Sequence, residues 1–554
     1  MSVPRRALHL VFGGALALAA AVLLASPWAS AWRPVSRRHR AGALNCEARR
    51  PHVVVFVADD LGGADVGYGW VPGGPRRIPT PRVDALAAGS VVLDRFYVSP
   101  MCTPTRASLF TGKHAFRLGL AHFVIVANQP TGLPDGEVTL AQRLRARGYA
   151  THALGKWHLG FAKSEWLPTR RGFDSFFGYV TGAQVPHADP ARMHKAGHLS
   201  GRVERRSVGH DLWRGETPLK RTPATEGVHS SDLFPAEARA VVAKHDADKG
   251  PLFLYYAAQT PHAHFLGTPA RHSAAAAAAG FVAGEARFEI AALVSALDEQ
   301  VGAVVDALIG AALWDDTLFW FVGDNGPEFG SGASAFPRRG HKRTFFEGGV
   351  RAPSFVHFKS FEPRRVEVPM HAVDVVPTLV ALASLNCRAA PDGLDGLDGA
   401  DASALLRGDA SLAGRTLVIG FDNVVPCGAV VHGRYKYVVR GGCGARPGAG
   451  GWGDETGPPR SQETTCPPDA ECLFDLESDP EERVDVSGAM PELAYELRAA
   501  LPVIEAVPSR VAHTAGDPDA SPDLHGGSWV SWLSGAPHST RGAPTHSRRP
   551  PPLT

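Results

Sequence analysis

Two apolar runs, far apart in the chain, constrain its fold more than any other feature. His52 to Ala58 (HVVVFVA) runs into Asp59-Asp60, and Thr317 to Gly323 (TLFWFVG) runs into Asp324-Asn325. Runs with a β-branched or aromatic residue at almost every position read as strands buried on both faces, the habit of parallel sheets. Tyr149 to Leu154 and Leu252 to Ala257 add two further strands, while Thr139 to Arg147 and Phe288 to Leu308 read as helices. This alternation predicts an α/β unit on a parallel sheet from about residue 51 to 385. In open sheets of that kind, ligands bind beyond the carboxyl ends of the strands. Three carboxylates and an amide oxygen delivered there make an all-oxygen donor set, suited to a hard divalent cation. One acidic pair after a strand is more often a turn former or a helix cap. The signal is that two strand ends share the chemistry.

The flanks read differently. Arg5 and Arg6, the apolar stretch Ala7 to Ala25 and the small residues Ala29-Ser30-Ala31 predict a signal peptide over 1–31. An uncleaved membrane anchor is the competing reading, since ~19 apolar residues just span a bilayer. Residues 32–50 form an Arg-rich linker, 51–400 a catalytic domain and 401–509 a smaller C-terminal domain. Short β runs at Thr416 to Gly420 and Tyr435 to Val439, and a helix near Met490 to Leu501, mark the latter. Residues 510–554, rich in Pro, Ser, His, Gly and Arg, predict a disordered tail. A net charge of +2 asks for no nucleic-acid partner, and no stable membrane partner is expected. In an oxidising compartment the seven cysteines leave at least one unpaired or modified. Cys427 with Cys443, and Cys466 with Cys472, are close enough in sequence to be bridged. No Asn-x-Ser/Thr site is present.

The segment Met101 to Lys113 (MCTPTRASLFTGK) reads as a helix capped by Thr103, with Pro104 at its first position and Gly112 at its stop. Cys102 then sits at a helix N-terminus, where an anion is favoured, and Arg106 lies one turn later. An exported cysteine is usually structural, but Cys-x-Pro-x-Arg followed by Leu109 and Thr111-Gly112 is a specific pattern. If the strand ending at Leu154 continues, Lys156 and His158 project to one side and Trp157 to the other.

Residues from about 52 to 485 resemble the sulfatase family, most closely its arylsulfatase B-type members. The resemblance rests on Cys102-x-Pro104-x-Arg106, Gly155-Lys156-Trp157-His158-Leu159-Gly160, Asp324-Asn325-Gly326, and Gly340-His341-Lys342 leading to Glu347-Gly348-Gly349-Val350-Arg351. Gln259-Thr260-Pro261-His262 is a weaker match, and Leu473 to Glu482 resembles the family's second domain. The resemblance implies an alkaline-phosphatase-like α/β/α sandwich with a large, mostly parallel sheet and a smaller C-terminal α/β domain. It implies hydrolysis of sulfate monoesters, with a sulfated carbohydrate or aryl sulfate as substrate. A formylglycine-generating enzyme would oxidise Cys102 to formylglycine. One hydroxyl of the aldehyde hydrate attacks the ester and the other then expels sulfate, which a thiolate could not do. Carried over by position, Asp59, Asp60, modified Cys102, Asp324 and Asn325 would hold Ca²⁺, with Mg²⁺ as the alternative. Arg106 and His158 would orient the formylglycine, Lys156 and Lys342 hold sulfate, and His262 serve as proton donor or sulfate ligand. Export implies a secreted, periplasmic or lysosomal enzyme. Two alternatives stay open: a phosphonate or phosphate ester hydrolase of the same superfamily, and an inactive secreted binding protein. Thr105 and His114 depart mildly from the family pattern. The His- and Arg-rich stretch Pro186 to Glu226 has no clear match, so the substrate is where the resemblance says least.

Overall fold

The two marker runs are neighbours in space. Eight strands of the main sheet, in chain order, are β1 (His52–Ala58), β2 (Val91–Leu93), β3 (Ala150–Lys156), β4 (Ser175–Tyr179), β5 (Leu252–Ala257), β6 (Thr317–Gly323), β7 (Ser354–His357) and β8 (Arg364–Val366). They run β8-β2-β7-β6-β1-β5-β3-β4 across the sheet, and a short hairpin of Trp213–Arg214 and Thr217–Pro218 adds two more strands beyond β4. Strands β6, β1, β5, β3 and β4 are parallel; β7 runs against β6 and β2. In the pairing of β1 with β6, His52 faces Thr317 and Ala58 faces Gly323. Their carboxyl ends are therefore level, and the two acidic pairs leave the sheet side by side.

This computed structural model describes residues 50–182, 209–220, 222, 228–262, 268–384, 394–409, 412, 414–443, 451, 464–501, 510 and 514–533. The expected signal peptide, nearly all of the linker, and Cys46 and Cys387 lie outside the described residues. All described residues belong to one compact unit spanning 49–554.

Alternation within the buried strands sorts side chains between two helical layers. Val53, Val55 and Val57 join a core with Phe110, Leu140, Leu144 and Leu379. These come from helices α2 (Cys102–Thr111), α3 (Leu140–Arg145) and α7 (Val375–Leu382), which pack on one another. On the opposite face lie α1 (Pro81–Ala88), α4 (Ser230–Lys244) and α5 (Ala270–Ala278), all packed on the long α6 (Ala286–Gly310). Phe56 stacks on Tyr256 with ring centroids 4.7 Å apart, and the Tyr256 hydroxyl donates to Gln300 Oε1 of α6 at 2.9 Å. Complete burial of one such side chain contributes about 1.5–3 kcal/mol. The α/β/α sandwich is thus present, with the strand tips β1 and β6 at its centre.

A second sheet of four antiparallel strands follows: β9 (Thr416–Asp422), β10 (Cys427–His432), β11 (Tyr435–Val439) and β12 (Glu471–Asp475). Leu417, Ile419, Val431 and Phe474 from this sheet share a core with Tyr97, Phe345, Phe346 and Val350. Both cysteine pairings suggested by spacing are bonded, Cys427–Cys443 and Cys466–Cys472.

Two local expectations are corrected. Helix α2 starts at Cys102, with Met101 in the cap position and no side-chain cap. Thr103 instead ties three segments together: its hydroxyl accepts from the Ile125 N–H at 3.1 Å and donates to the His158 carbonyl at 3.3 Å. Gly112 does end the helix, in the left-handed region at φ 70°, where glycine is unstrained. The expected disordered tail is folded over residues 514–533. Trp529 is buried against Phe161, its backbone N–H donates to the His210 carbonyl, and Ser528 bridges to His210. Two tryptophans without periodic neighbours, Trp529 and Trp532, anchor this segment on Phe161, and composition hides such an anchor.

Candidate active site

Strand β1 ends in Asp59 and Asp60, strand β6 in Asp324 and Asn325, and all four side chains are buried. Asp60 takes φ 62°, a conformation Asp tolerates better than most residues. Donor atoms of Asp59, Asp60, Cys102 and Asp324 all lie within 4.8 Å of one another. Cys102, at the start of α2, points its Sγ at Asp59 Oδ1, 3.7 Å away. The Asn325 amide donates to Asp60 Oδ1 at 2.7 Å and to the Gly326 carbonyl. Its Oδ1 is buried and meets no hydrogen-bond donor among the described residues. A buried acceptor without a donor is costly, and a cation among these oxygens would satisfy it. The residues present fit a hard divalent metal.

Three cations close around the carboxylates. Lys156, the last residue of β3, sets its Nζ 2.6 Å from Asp59 Oδ2. Arg106 donates from Nε and Nη2 to Asp324 Oδ2 at 3.1 and 2.8 Å, and from Nη1 to the Lys156 carbonyl. Lys342 Nζ is 2.6 Å from Asp60 Oδ1 and 3.4 Å from His262 Nε2. His262 Nε2 in turn is 3.6 Å from Asp60 Oδ2, and at 13% exposure this imidazole stands nearest the mouth. Burial alone would raise Asp60, but Lys342 and His262 outweigh it and hold the carboxyl well below its usual range. Asp324 is pushed up to about 6 by burial and by the charge of Asp59, against Arg106. Burial pushes the Cys102 thiol up to about 12 despite Lys156 and Lys342. The encoded thiol is therefore a poor nucleophile at neutral pH, since the thiolate is the reactive form.

Nine of the ten residues singled out from the sequence converge on this cluster. The tenth, His158, is buried beside it with Nε2 on the Ile125 carbonyl at 3.0 Å. The strand stops at Lys156 and His158 takes φ 59°, so simple alternation does not extend to it. Trp157 turns away as expected, into the core against Phe110. Sequence reading missed Tyr255, whose hydroxyl accepts from Arg106 Nη1 at 3.4 Å, and Glu328, whose Oε2 is 3.9 Å from Lys342 Nζ. Their signals were slight: a tyrosine near the end of a buried strand, and a carboxylate four residues beyond Asp324.

The sulfatase family model matches residues 51–385. The chain is 31% identical to arylsulfatase J of Mus musculus over 90% of its own length and 82% of that protein's. It is 32% identical to arylsulfatase A of Homo sapiens, over 81% of this chain and 87% of the relative. Among solved structures, Ps i-CgsB in complex with k-i-k-neocarrahexaose superposes with a TM-score of 0.65 at 26% identity, covering 81% of this chain and 91% of that one. The chain belongs to the sulfatase family. It is a sulfuric ester hydrolase, acting on sulfate monoesters, in a family that uses a formylglycine and a divalent metal. Among the described residues no helix is long and apolar enough to cross a membrane.

Proposed function

We propose that Cys102, converted to formylglycine by a dedicated generating enzyme, is the nucleophile for desulfation of a sulfated carbohydrate or aryl sulfate, with Ca²⁺ as the metal. The observation that carries this reading is one buried residue, Cys102, shared by three carboxylates, an unpartnered amide oxygen and three cations. Asp59, Asp60, Asp324, Asn325 and residue 102 would hold the metal, which supplies a positive charge that polarises the nucleophile and the sulfate oxygens. Lys156 and Lys342 bind the sulfate oxygens, where charge grows in the transition state and where preorganised donors are most effective. Arg106, fixed on Asp324 and on the Lys156 carbonyl, orients the nucleophile from within the helix. His158 is a positioning residue through its bond to Ile125. His262, at the mouth, is placed to give a proton to the departing alcohol or to hold sulfate. Residues 51–400 carry the chemistry and residues 401–509 brace it. A carbohydrate substrate and a likeness to arylsulfatase B-type members belong to this proposal, as does export by a signal peptide. An oligosaccharide in the solved complex of a relative supports the carbohydrate class.

The test is Cys102→Ser, with the mass of the wild-type peptide as its companion. A serine oxygen near the same cations attacks once, but no second hydroxyl can expel the sulfate. We expect at most about one leaving-group equivalent per enzyme, with sulfate retained on residue 102. Repeated turnover at the wild-type rate, or an unmodified thiol in fully active enzyme, would remove formylglycine from the reading. Metal analysis of the purified protein separates Ca²⁺ from Mg²⁺.

A further inference from the structure

We infer that Arg343 forms a second anion subsite beside the sulfate clamp, selecting sulfated sugars that carry another acidic group. The inference rests on the sulfatase reading of the site. Arg343 follows Lys342 directly, and both cations flank one atom, Glu328 Oε2, at 3.9 Å each. The separation of Lys342 Nζ and Arg343 Nη2 is thereby bounded at twice that distance, on the scale of neighbouring substituents of one sugar unit.

The side chain is held yet reachable. Arg343 adopts φ 74°, a conformation strained for any residue with a Cβ. Its N–H donates at 2.8 Å to the carbonyl of Pro100, two residues before Cys102. Its guanidinium lies over the Phe123 ring, 5.4 Å from the centroid. Even so, the side chain is 31% exposed. Its charge is weakly matched: Glu328 stands at the outer limit of an ion pair, and Arg343 Nε is buried without a hydrogen-bond partner among the described residues. A guanidinium fixed against a ring with donors to spare is built to take a carboxylate or a sulfate.

Glu328 narrows the ligand further. Its carboxylate repels negative charge between the two cations but accepts a hydrogen bond from a hydroxyl there. A sugar presents that order of groups: a sulfate ester at Lys342, a hydroxyl at Glu328, and a carboxylate or second sulfate at Arg343. A simple aryl sulfate reaches only the first.

Four substrates test this in the converted enzyme: nitrophenyl sulfate, a neutral monosulfated disaccharide, the same disaccharide with a second sulfate, and one with a uronate. Arg343→Ala is expected to lower kcat/KM about 10-fold or more on the doubly anionic substrates, chiefly through KM. On nitrophenyl sulfate and the neutral sugar it should stay within about 2-fold of wild type, which also shows that the variant folds. Arg343→Lys, which keeps the charge but not the bidentate fork, should recover part of the loss. A loss confined to the disulfated or to the uronate substrate identifies the second anion. Equal losses on all four substrates, or none on any, overturn the subsite. Failure of wild-type enzyme to cleave any of the four substrates would instead overturn the sulfatase reading, and this inference with it.

Discussion

The loop from Arg339 to Arg351 serves two buried ionic clusters, and they differ in one instructive way. At its start, Lys342 enters the active site among Asp59, Asp60, Asp324, Arg106 and Lys156. At its end, Glu347 enters the seam between the two sheets. There, Lys436 of β11 lies 2.9 Å from both Glu347 Oε1 and Glu482 Oε1, and Arg351 holds Glu347 Oε2 at 3.2 Å. The Glu347 N–H also donates to Glu482 Oε2 at 2.7 Å, so carboxylates and backbone lock one another. Both clusters balance formally, three charges of each sign at the site and two of each at the seam. Charge balance therefore does not mark a catalytic centre. What marks it is the buried amide oxygen of Asn325, which meets no hydrogen-bond donor among the described residues. At the seam Glu347, Lys436 and Glu482 are fully buried, and only Arg351 reaches solvent, at 19% exposure. One cluster is set up to receive a charged ligand, the other to hold two sheets in register.

The sharpest way to break this comparison is Asp324→Ala. It should lower kcat/KM at least ~10³-fold, because a metal-side carboxylate and the anchor of Arg106 vanish together. Thermal unfolding should move far less than activity, and retained turnover would demote the cluster to a structural one. At the seam the ranking should reverse. Lys436→Met leaves two buried carboxylates short of a partner and should cost about 3–5 kcal/mol by denaturant unfolding. Activity per folded molecule on nitrophenyl sulfate should fall less than in the Asp324 variant. A seam variant as stable as wild type would show that packing alone joins the sheets.

A pH series sharpens the contrast. Burial and the charge of Glu347 push Glu482 up to about 7 against Lys436. Its folded value is raised above the unfolded one of 4.5, so the folded protein keeps a proton that the unfolded chain has released. Stability from this group is fully present below pH ~4.5 and falls as pH rises towards ~7, by a few kcal/mol at most. Glu482→Gln should flatten that slope, and an unchanged slope would assign it elsewhere. The smallest effect is the control: Lys359 with Asp315, exposed partners on the surface, should be worth less than ~0.5 kcal/mol in a double-mutant cycle.

The comparison also shows what could be read from the chain. Strands β1, β5 and β6 appear with the bounds their apolar runs suggested, since nothing but burial on both faces explains such runs. The convergence of Asp59, Asp60, Asp324 and Asn325 was legible because each pair follows a strand end. The motif from Gly340 to Arg351 was legible only as a unit. Residue order does not say that Lys342 faces Asp60 while Glu347 faces a lysine from another sheet, because that lysine lies 89 residues on. Thr103 was misread for a similar reason: its partners Ile125 and His158 come from distant segments. Arg343 and Glu328 escaped notice because their role arises from sharing a mouth, not from spacing.

The burial of Cys102, at 2% exposure, sets a timetable. Any enzyme that oxidises this side chain must reach it before the sheet closes over it. The closing partner comes late, for the Arg106–Asp324 bond that seals the helix spans 218 residues of chain. At roughly 5–20 residues per second of synthesis, about 10–40 seconds separate the emergence of the cysteine from that of the strand that buries it. The parallel order of the sheet, with Asp324 at the tip of β6 brought beside Asp60 across 264 residues of chain, would keep Cys102 open to a maturation enzyme for that interval. Topology here acts as a delay.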